Sequence, residues 1–196
     1  MVGDVAPAGE DRLRLRILEV TDVAALQRFF DANPEYFLTT QGEPPRPNEA
    51  ETEFHDVPPA DFPYRAMWLL GFFDESDALV AMATVVADLV AEHVGHIGLF
   101  IVATALHGSG VAGVLYRLLE TWMIEQGAHW VRLGVVRGNA RAERFWERRG
   151  YVDVRERGPV QMGRKSNLLR VMMKPLAGGT LAEYLALVAR DRPDAA

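Results

Sequence analysis

Three glycines within six residues constrain this chain more than any other feature. His107-Gly108-Ser109-Gly110-Val111-Ala112-Gly113 stands between an apolar run at 96–102, His-Ile-Gly-Leu-Phe-Ile-Val, and a long periodic segment. The run is apolar enough to be covered on both faces, which predicts an interior strand. Beyond the glycines, Val111, Val114, Leu115, Leu118, Leu119, Trp122 and Met123 recur at steps of three and four, which predicts an amphipathic helix ending near Gly127. Glycines at a strand-to-helix junction let the backbone turn without a Cβ clash. They also expose N–H groups at the positive end of the helix, where an anion such as a phosphate or pyrophosphate can bind. The same residues also serve a plain tight turn.

Read literally, Gly108-x-Gly110-x-x-Gly113 satisfies the dinucleotide fingerprint. Only 88 residues follow Gly108, however, few for a doubly wound sheet. No acidic residue ends the strand predicted at 130–136; Arg137 follows it, which only an NADP site would tolerate. Val114 and Leu115 stand where a nucleotide-hydrolysing loop needs its lysine, so ATP and GTP hydrolysis are excluded. Coenzyme A and, behind it, an NADP-binding reductase remain as diphosphate readings.

The rest of the chain supplies a mixed α/β pattern. Leu13, Leu15 and Ile17 alternate with arginines as a first strand over 13–18, and a helix bearing Leu26, Phe29 and Phe30 runs to Asn33-Pro34. Residues 66–73 and 78–86 read as an antiparallel hairpin around Asp74, Glu75, Ser76 and Asp77. A strand at 130–136, a short helix between Asn139 and Gly150, and strands at 151–155 and 168–173 complete the pattern. Thr180 and Glu183 have capping-box spacing ahead of a last helix over 180–190. The organisation expected is a flexible N-terminus at 1–11, one domain over 12–177, and a helical extension over 178–196 that closes a sheet edge or serves a homodimer.

Composition narrows the partners. The formal charge is −6, which disfavours nucleic acid, and no apolar window is long enough for a membrane span. With no cysteine there is neither a thiolate nucleophile nor a disulfide framework, which suits a cytoplasmic setting. His93 and His96 lack a third ligand nearby, so no metal is expected. Residues 41–64 carry six of the eleven prolines. They also hold Glu43, Glu49, Glu51, Glu53, Asp56 and Asp61 against Arg46 alone, a net −5. That stretch reads as an extended or partly helical loop.

Two motifs now resemble those of the GNAT superfamily of N-acetyltransferases, over roughly 13–176. One is a strand ending in Val102, a short loop, then His107-Gly108-Ser109-Gly110-Val111-Ala112, against the superfamily's Arg or Gln, x, x, Gly, x, Gly or Ala. The other is Asn139, Ala142, Phe145, Gly150 and Tyr151, with Trp146 in place of a tyrosine. The resemblance implies an α/β fold with a GNAT-like mixed sheet: antiparallel N-terminal strands, a central parallel pair flanking the cofactor loop, and helices on both faces. It also implies transfer of an acyl group, acetyl foremost, from acetyl-CoA or another acyl-CoA to a primary amine. The amides of Gly108, Ser109, Gly110, Val111 and Ala112 would bind the diphosphate, while backbone near Phe100, Ile101 and Val102 pairs with pantetheine. The Val102 amide would face the thioester carbonyl as an oxyanion donor, and Asn139 would hold the pantetheine arm or simply cap its helix.

Two departures from the pattern shape the chemistry. His107 replaces the loop's Arg or Gln, which would weaken one phosphate contact or make it sensitive to pH. Trp146 is no proton donor near neutrality, so tyrosine acid catalysis does not carry over, and Trp146 reads as core or pantetheine packing. His96 is the candidate base, at the start of the strand leading to the loop and, by alternation, on one face with Gly98, Phe100 and Val102. A plain strand-end histidine is the other reading. The acidic stretch at 41–64 would attract a cationic acceptor, either a small molecule such as a polyamine or a basic peptide terminus, or else is merely solvated. An acyl-CoA-binding sensor without turnover is the rival from another functional class, motivated by Trp146.

Overall fold

The computed structural model describes residues 12–194. The expectation for 1–11 therefore lies outside the described residues. Seven strands form one sheet in the order β1-β2-β3-β4-β5-β7-β6: β1 (Arg14–Ile17), β2 (Ala66–Phe73), β3 (Leu79–Ala87), β4 (Val94–Val102), β5 (Trp130–Val136), β6 (Val152–Met162) and β7 (Lys165–Pro175). Only β4 and β5 run parallel. A doubly wound dinucleotide fold needs a largely parallel sheet, so this topology removes the structural ground for the NADP reading.

Helices cover both faces. On one lie α4 (Val111–Glu125) and α5 (Ala140–Arg148), whose Leu115, Tyr116, Leu119, Met123 and Trp146 pack on Leu70, Ala83, Val131 and Leu133. The other face carries α1 (Val23–Ala32), α2 (Glu35–Thr40) and α3 (Glu49–His55) over β2 to β4, built on Leu26, Phe30 and Phe37. Beside them α6 (Leu181–Leu187) sets Tyr184 against Val94, Trp130 and Met173. Thr180 caps α6 as its spacing predicts, accepting from the Glu183 N–H at 3.2 Å.

Several local expectations are corrected. The chain resumes as α2 directly after Asn33-Pro34, because proline at a helix start forfeits no hydrogen bond. The acidic stretch is partly helical, as one of its two readings has it: it contains α3, with Glu49 at its first turn bonded to the Arg46 side chain at 2.7 Å. Ile17, read as inward, is exposed on the edge strand, and Leu18 is buried instead. The last two strands are much longer than their apolar segments, because their ladder continues through polar residues to the 163–164 turn. That turn reaches α2: the Arg164 N–H donates to the Gln41 carbonyl at 2.8 Å, and Lys165 Nζ to the Thr39 carbonyl at 2.8 Å.

A buried ion pair fixes the C-terminal segment. Asp191, fully buried, accepts from Arg132 Nε at 2.5 Å, Arg132 Nη2 at 3.1 Å, Tyr184 Oη at 2.5 Å and Arg157 Nη2 at 3.3 Å. Burial alone would raise its pKa, but the Arg132 guanidinium outweighs burial and holds the carboxyl below its usual range. Removing one member of such a group strands the others without a counter-charge. Asp191→Ala should therefore destabilise the fold by about 3–5 kcal/mol, read from the shift in urea midpoint, whereas an exposed-pair change such as Arg14→Ala, which breaks the pair with Asp77, should cost under about 1 kcal/mol.

Candidate active site

The site begins with one extra residue in β4. Thr84 of β3 stands opposite Leu99, and Val85 opposite Ile97, so Gly98 is a bulge with no partner. Pairing of β4 with β5 stops at the same place: it covers Val94 to Ile97 against Trp130 to Leu133 and no further. The bulge bends β4 away from its parallel neighbour, and the two strands splay apart toward their C-terminal ends.

Backbone alternation then decides which groups face the gap. The Ala103 N–H donates to the Val80 carbonyl at 2.9 Å, so Ala103 and Ile101 direct their backbone groups at β3, while Phe100 and Val102 direct theirs the other way. Of the three residues expected to pair with a ligand, only Phe100 and Val102 present backbone to the gap. Ile101 is committed to β3, and its side chain packs in the α1 to α3 cluster. The Val102 carbonyl accepts from His107 Nε2 at 3.0 Å, which leaves its N–H directed into the gap.

Two pockets meet across the gap. The outer one, about 160 Å³, lies between Thr104, His107 and Ala112 on one side and Arg141 and Phe145 on the other. The inner one, about 370 Å³, runs between β4 and β5 past His96, Gly98, Arg132 and Arg157 to Val160 and Met162. Tyr36, Phe100, Asn139, Ala142 and Trp146 line both. Trp146 is buried in an aromatic group, with ring centroids 5.9 Å from Phe100, 5.5 Å from Tyr116 and 5.1 Å from Tyr151. Asn139 caps α5, its Oδ1 accepting from the Ala142 N–H at 3.3 Å.

At the mouth of the outer pocket, Gly108, Ser109 and Gly110 are exposed. Gly108 and Gly110 hold φ of +80° and +86°, a conformation that other residues adopt only with strain. The Ser109 hydroxyl accepts from the Val111 N–H at 3.3 Å, and the Gly110 carbonyl accepts from the Gly113 N–H at 3.0 Å as the helix begins. Arg149 leans over this turn: a Cβ at Gly113 would lie 3.1 Å from its Nη atoms, and its Nε is buried without a partner. His107 is fixed from both sides, since its Nδ1 lies 2.9 Å from Arg141 Nη1, and Arg141 also reaches Glu35 at 2.8 Å.

The expectation for His96 needs correction. Because the bulge switches the alternation after Ile97, His96 shares its face with Val94, Leu99 and Ile101, whereas Ile97, Phe100 and Val102 lie toward α4. Its Nδ1 lies 3.4 Å from Arg132 Nη1. Burial, reinforced by the Arg132 charge, pushes its pKa down to about 3, so it is neutral and barely basic at pH 7. Nor do the acids of 41–64 line either pocket: Glu35 is the sole carboxylate of the outer lining, and the inner lining has none. Glu53 instead accepts from the Thr84 hydroxyl at 2.6 Å, and burial raises its pKa.

Sequence reasoning missed Tyr36, Arg141, Arg149 and Arg157. Tyr36 sits in a helix that the pattern did not show, and arginines on an exposed-looking helix or strand carry no sequence signal of their own. An isolated glycine within a strand does signal a bulge, and Gly98 was available for that reading.

The chain belongs to the acetyltransferase (GNAT) family, whose profile matches residues 26–151. Solved structures agree on the fold. An acetyltransferase from Thermus thermophilus superposes with a TM-score of 0.68 at 18% identity, over 84% of this chain and 97% of that one. A spermidine N-acetyltransferase from Vibrio cholerae, in complex with CoA and spermine, gives 0.65 at 18% identity, over 84% and 96%. A GCN5-related N-acetyltransferase from Kribbella flavida gives 0.62 at 19% identity, over 86% and 100%. No curated protein sequence matches the chain. Among the described residues no group of His, Cys, Asp or Glu is placed to hold a metal ion, and no helix is long and apolar enough to cross a membrane.

The His96 environment makes a stability prediction with a definite sign. Its folded pKa of about 3 lies below the ordinary value of about 6.5, so between these limits the unfolded chain binds the extra proton. Stability should fall as pH drops from about 6.5 toward 3, by an amount on the order of a few kcal/mol. Urea titrations at several pH values should show His96→Asn flattening this decline relative to the wild type.

Proposed function

We propose that the chain transfers an acetyl group from acetyl-CoA to a primary amine by direct attack. One observation carries this reading: backbone groups of Phe100 and Val102 face a gap that joins a pocket under the glycine-rich helix start to a second, partly open cavity. Acetyl-CoA supplies the activated acyl group as a thioester. Amides of Gly108 to Ala112, with Arg149 beside them, hold its diphosphate. Phe100 pairs with the pantetheine arm, and Trp146 and Phe145 pack against it. The Val102 N–H donates to the carbonyl oxygen as negative charge develops there. The amine nitrogen bonds to the carbonyl carbon, the carbon–sulfur bond breaks, and the proton lost by nitrogen ends on the departing sulfur.

Tyr36 takes the place beside the sulfur that Trp146 cannot fill, as the one hydroxyl-bearing residue common to both pocket linings. Burial and the nearby Glu53 charge raise its pKa, so it keeps its proton and donates a hydrogen bond to the thiolate without giving the proton up. A thiol titrating near ~8.5 is a tolerable leaving group on those terms. With neither a carboxylate in the inner lining nor a basic His96, the amine reacts from its own neutral form. The profile of kcat/KM should then rise with pH toward the amine's pKa, with no inflection near ~6.5.

The test is thiol release with an amine panel. Tyr36→Phe should lower kcat roughly 10- to 100-fold, the value of one hydrogen bond to a charged group, with little change in KM for acetyl-CoA. Gly110→Glu should abolish the rise in melting temperature that acetyl-CoA gives the wild type. Cofactor binding without any thiol release would favour the sensor reading, and absence of binding would defeat both.

A further inference from the structure

We infer that the acceptor amine carries a carboxylate, which Arg157 binds at the inner end of the cavity between β4 and β5; this rests on the transferase reading above. The inner lining contains two guanidinium groups, Arg132 and Arg157, and no Asp or Glu. They are not equivalent. Arg132 is satisfied by Asp191 through two hydrogen bonds, at 2.5 and 3.1 Å. Arg157 has only a long contact with the same carboxylate, at 3.3 Å, and the Arg190 carbonyl at 3.2 Å, both through Nη2. Its Nε is buried with no acceptor. About a quarter of the Arg157 side chain stays accessible in the cavity lining, so a second carboxylate delivered through the cavity can pair with the guanidinium that Asp191 meets only at long range. One Asp191 shared between two guanidinium groups also leaves the inner wall with an uncompensated positive charge, which repels a polyamine and attracts an anion.

The other walls fit the same class. Val135, Val160, Met162 and Val171 add apolar lining to the cavity, and Tyr36, Phe100 and Trp146 are shared with the outer pocket. A molecule with an amine at one end and a carboxylate at the other, an amino acid in the broad sense, matches this sequence of surfaces. The acids at 41–64, which would have favoured a cationic acceptor, lie outside both linings.

The experiment pairs acids with their neutral counterparts. The full chain, with CoA present, is titrated calorimetrically with the proteinogenic amino acids, β-alanine, 4-aminobutyrate and 6-aminohexanoate, each beside its carboxamide, and with spermidine; thiol release from acetyl-CoA is measured in parallel. At least one acid should bind roughly 10-fold or more tightly than its carboxamide. Arg157→Gln should collapse that ratio, Arg157→Lys should recover part of it, and CoA affinity should stay unchanged in both. Equal use of acids and carboxamides, binding of spermidine alone, no binding by any probe, or an unchanged ratio in Arg157→Gln would overturn the inference. If the variants fail to fold, the acid-to-carboxamide ratio of the wild type decides. Discriminating binding without thiol release would sustain the carboxylate site and defeat the transferase reading; acetylation of spermidine without discrimination would do the reverse.

Discussion

A strand can leave its neighbour only if something else takes up the backbone groups it abandons. In this molecule β4 leaves β5 at Gly98, and the donors and acceptors of Phe100 and Val102 lose the ladder partners that a continued parallel pair would provide. The Val102 carbonyl is satisfied internally by His107, which in turn is held by Arg141. The remaining groups face the gap that both pockets share. The splay thus leaves both space between the strands and an unpaired backbone edge, from a single inserted residue.

A second system of constraints closes the far side of the gap. Asp191, from the C-terminal segment, neutralises Arg132 on β5 and reaches Arg157 on β6. The carboxylate therefore ties the end of the chain to the strands that wall the inner cavity. The same charges govern His96, whose imidazole lies against Arg132 and is kept neutral. Stability and polarity at this end are two consequences of one buried cluster, and a cavity lined by cations without carboxylates follows from it.

The long β6–β7 hairpin joins these two systems. Its turn lies against the C-terminal end of α2, where Lys165 and Asn167 satisfy the Thr39 and Thr40 carbonyls at 2.8 Å. That contact brings Tyr36 and Thr40 to one wall of the inner cavity and Val160 and Met162 to another. A helix absent from the hydrophobic pattern and a hairpin only half visible in it together enclose the site.

Much of the local architecture was legible in the residues alone. Apolar periodicity located α4, β5 and the β2–β3 hairpin, the Thr180 and Glu183 spacing marked α6, and the glycines of 108–110 marked the turn into α4, because each of these depends on neighbours within a few positions. The face on which His96 falls, the direction of the Phe100 and Val102 amides, and the assembly of Arg132, Arg157 and Asp191 were not. A one-residue bulge reverses every side chain beyond it, and a buried charge finds its partner 59 positions away through packing that no local pattern records. Sequence alone determined that a glycine-rich turn leads from a strand end into a long helix; only the tertiary structure decided which groups face the space beyond it, since that follows from how strands diverge and which charges are left unpaired between them.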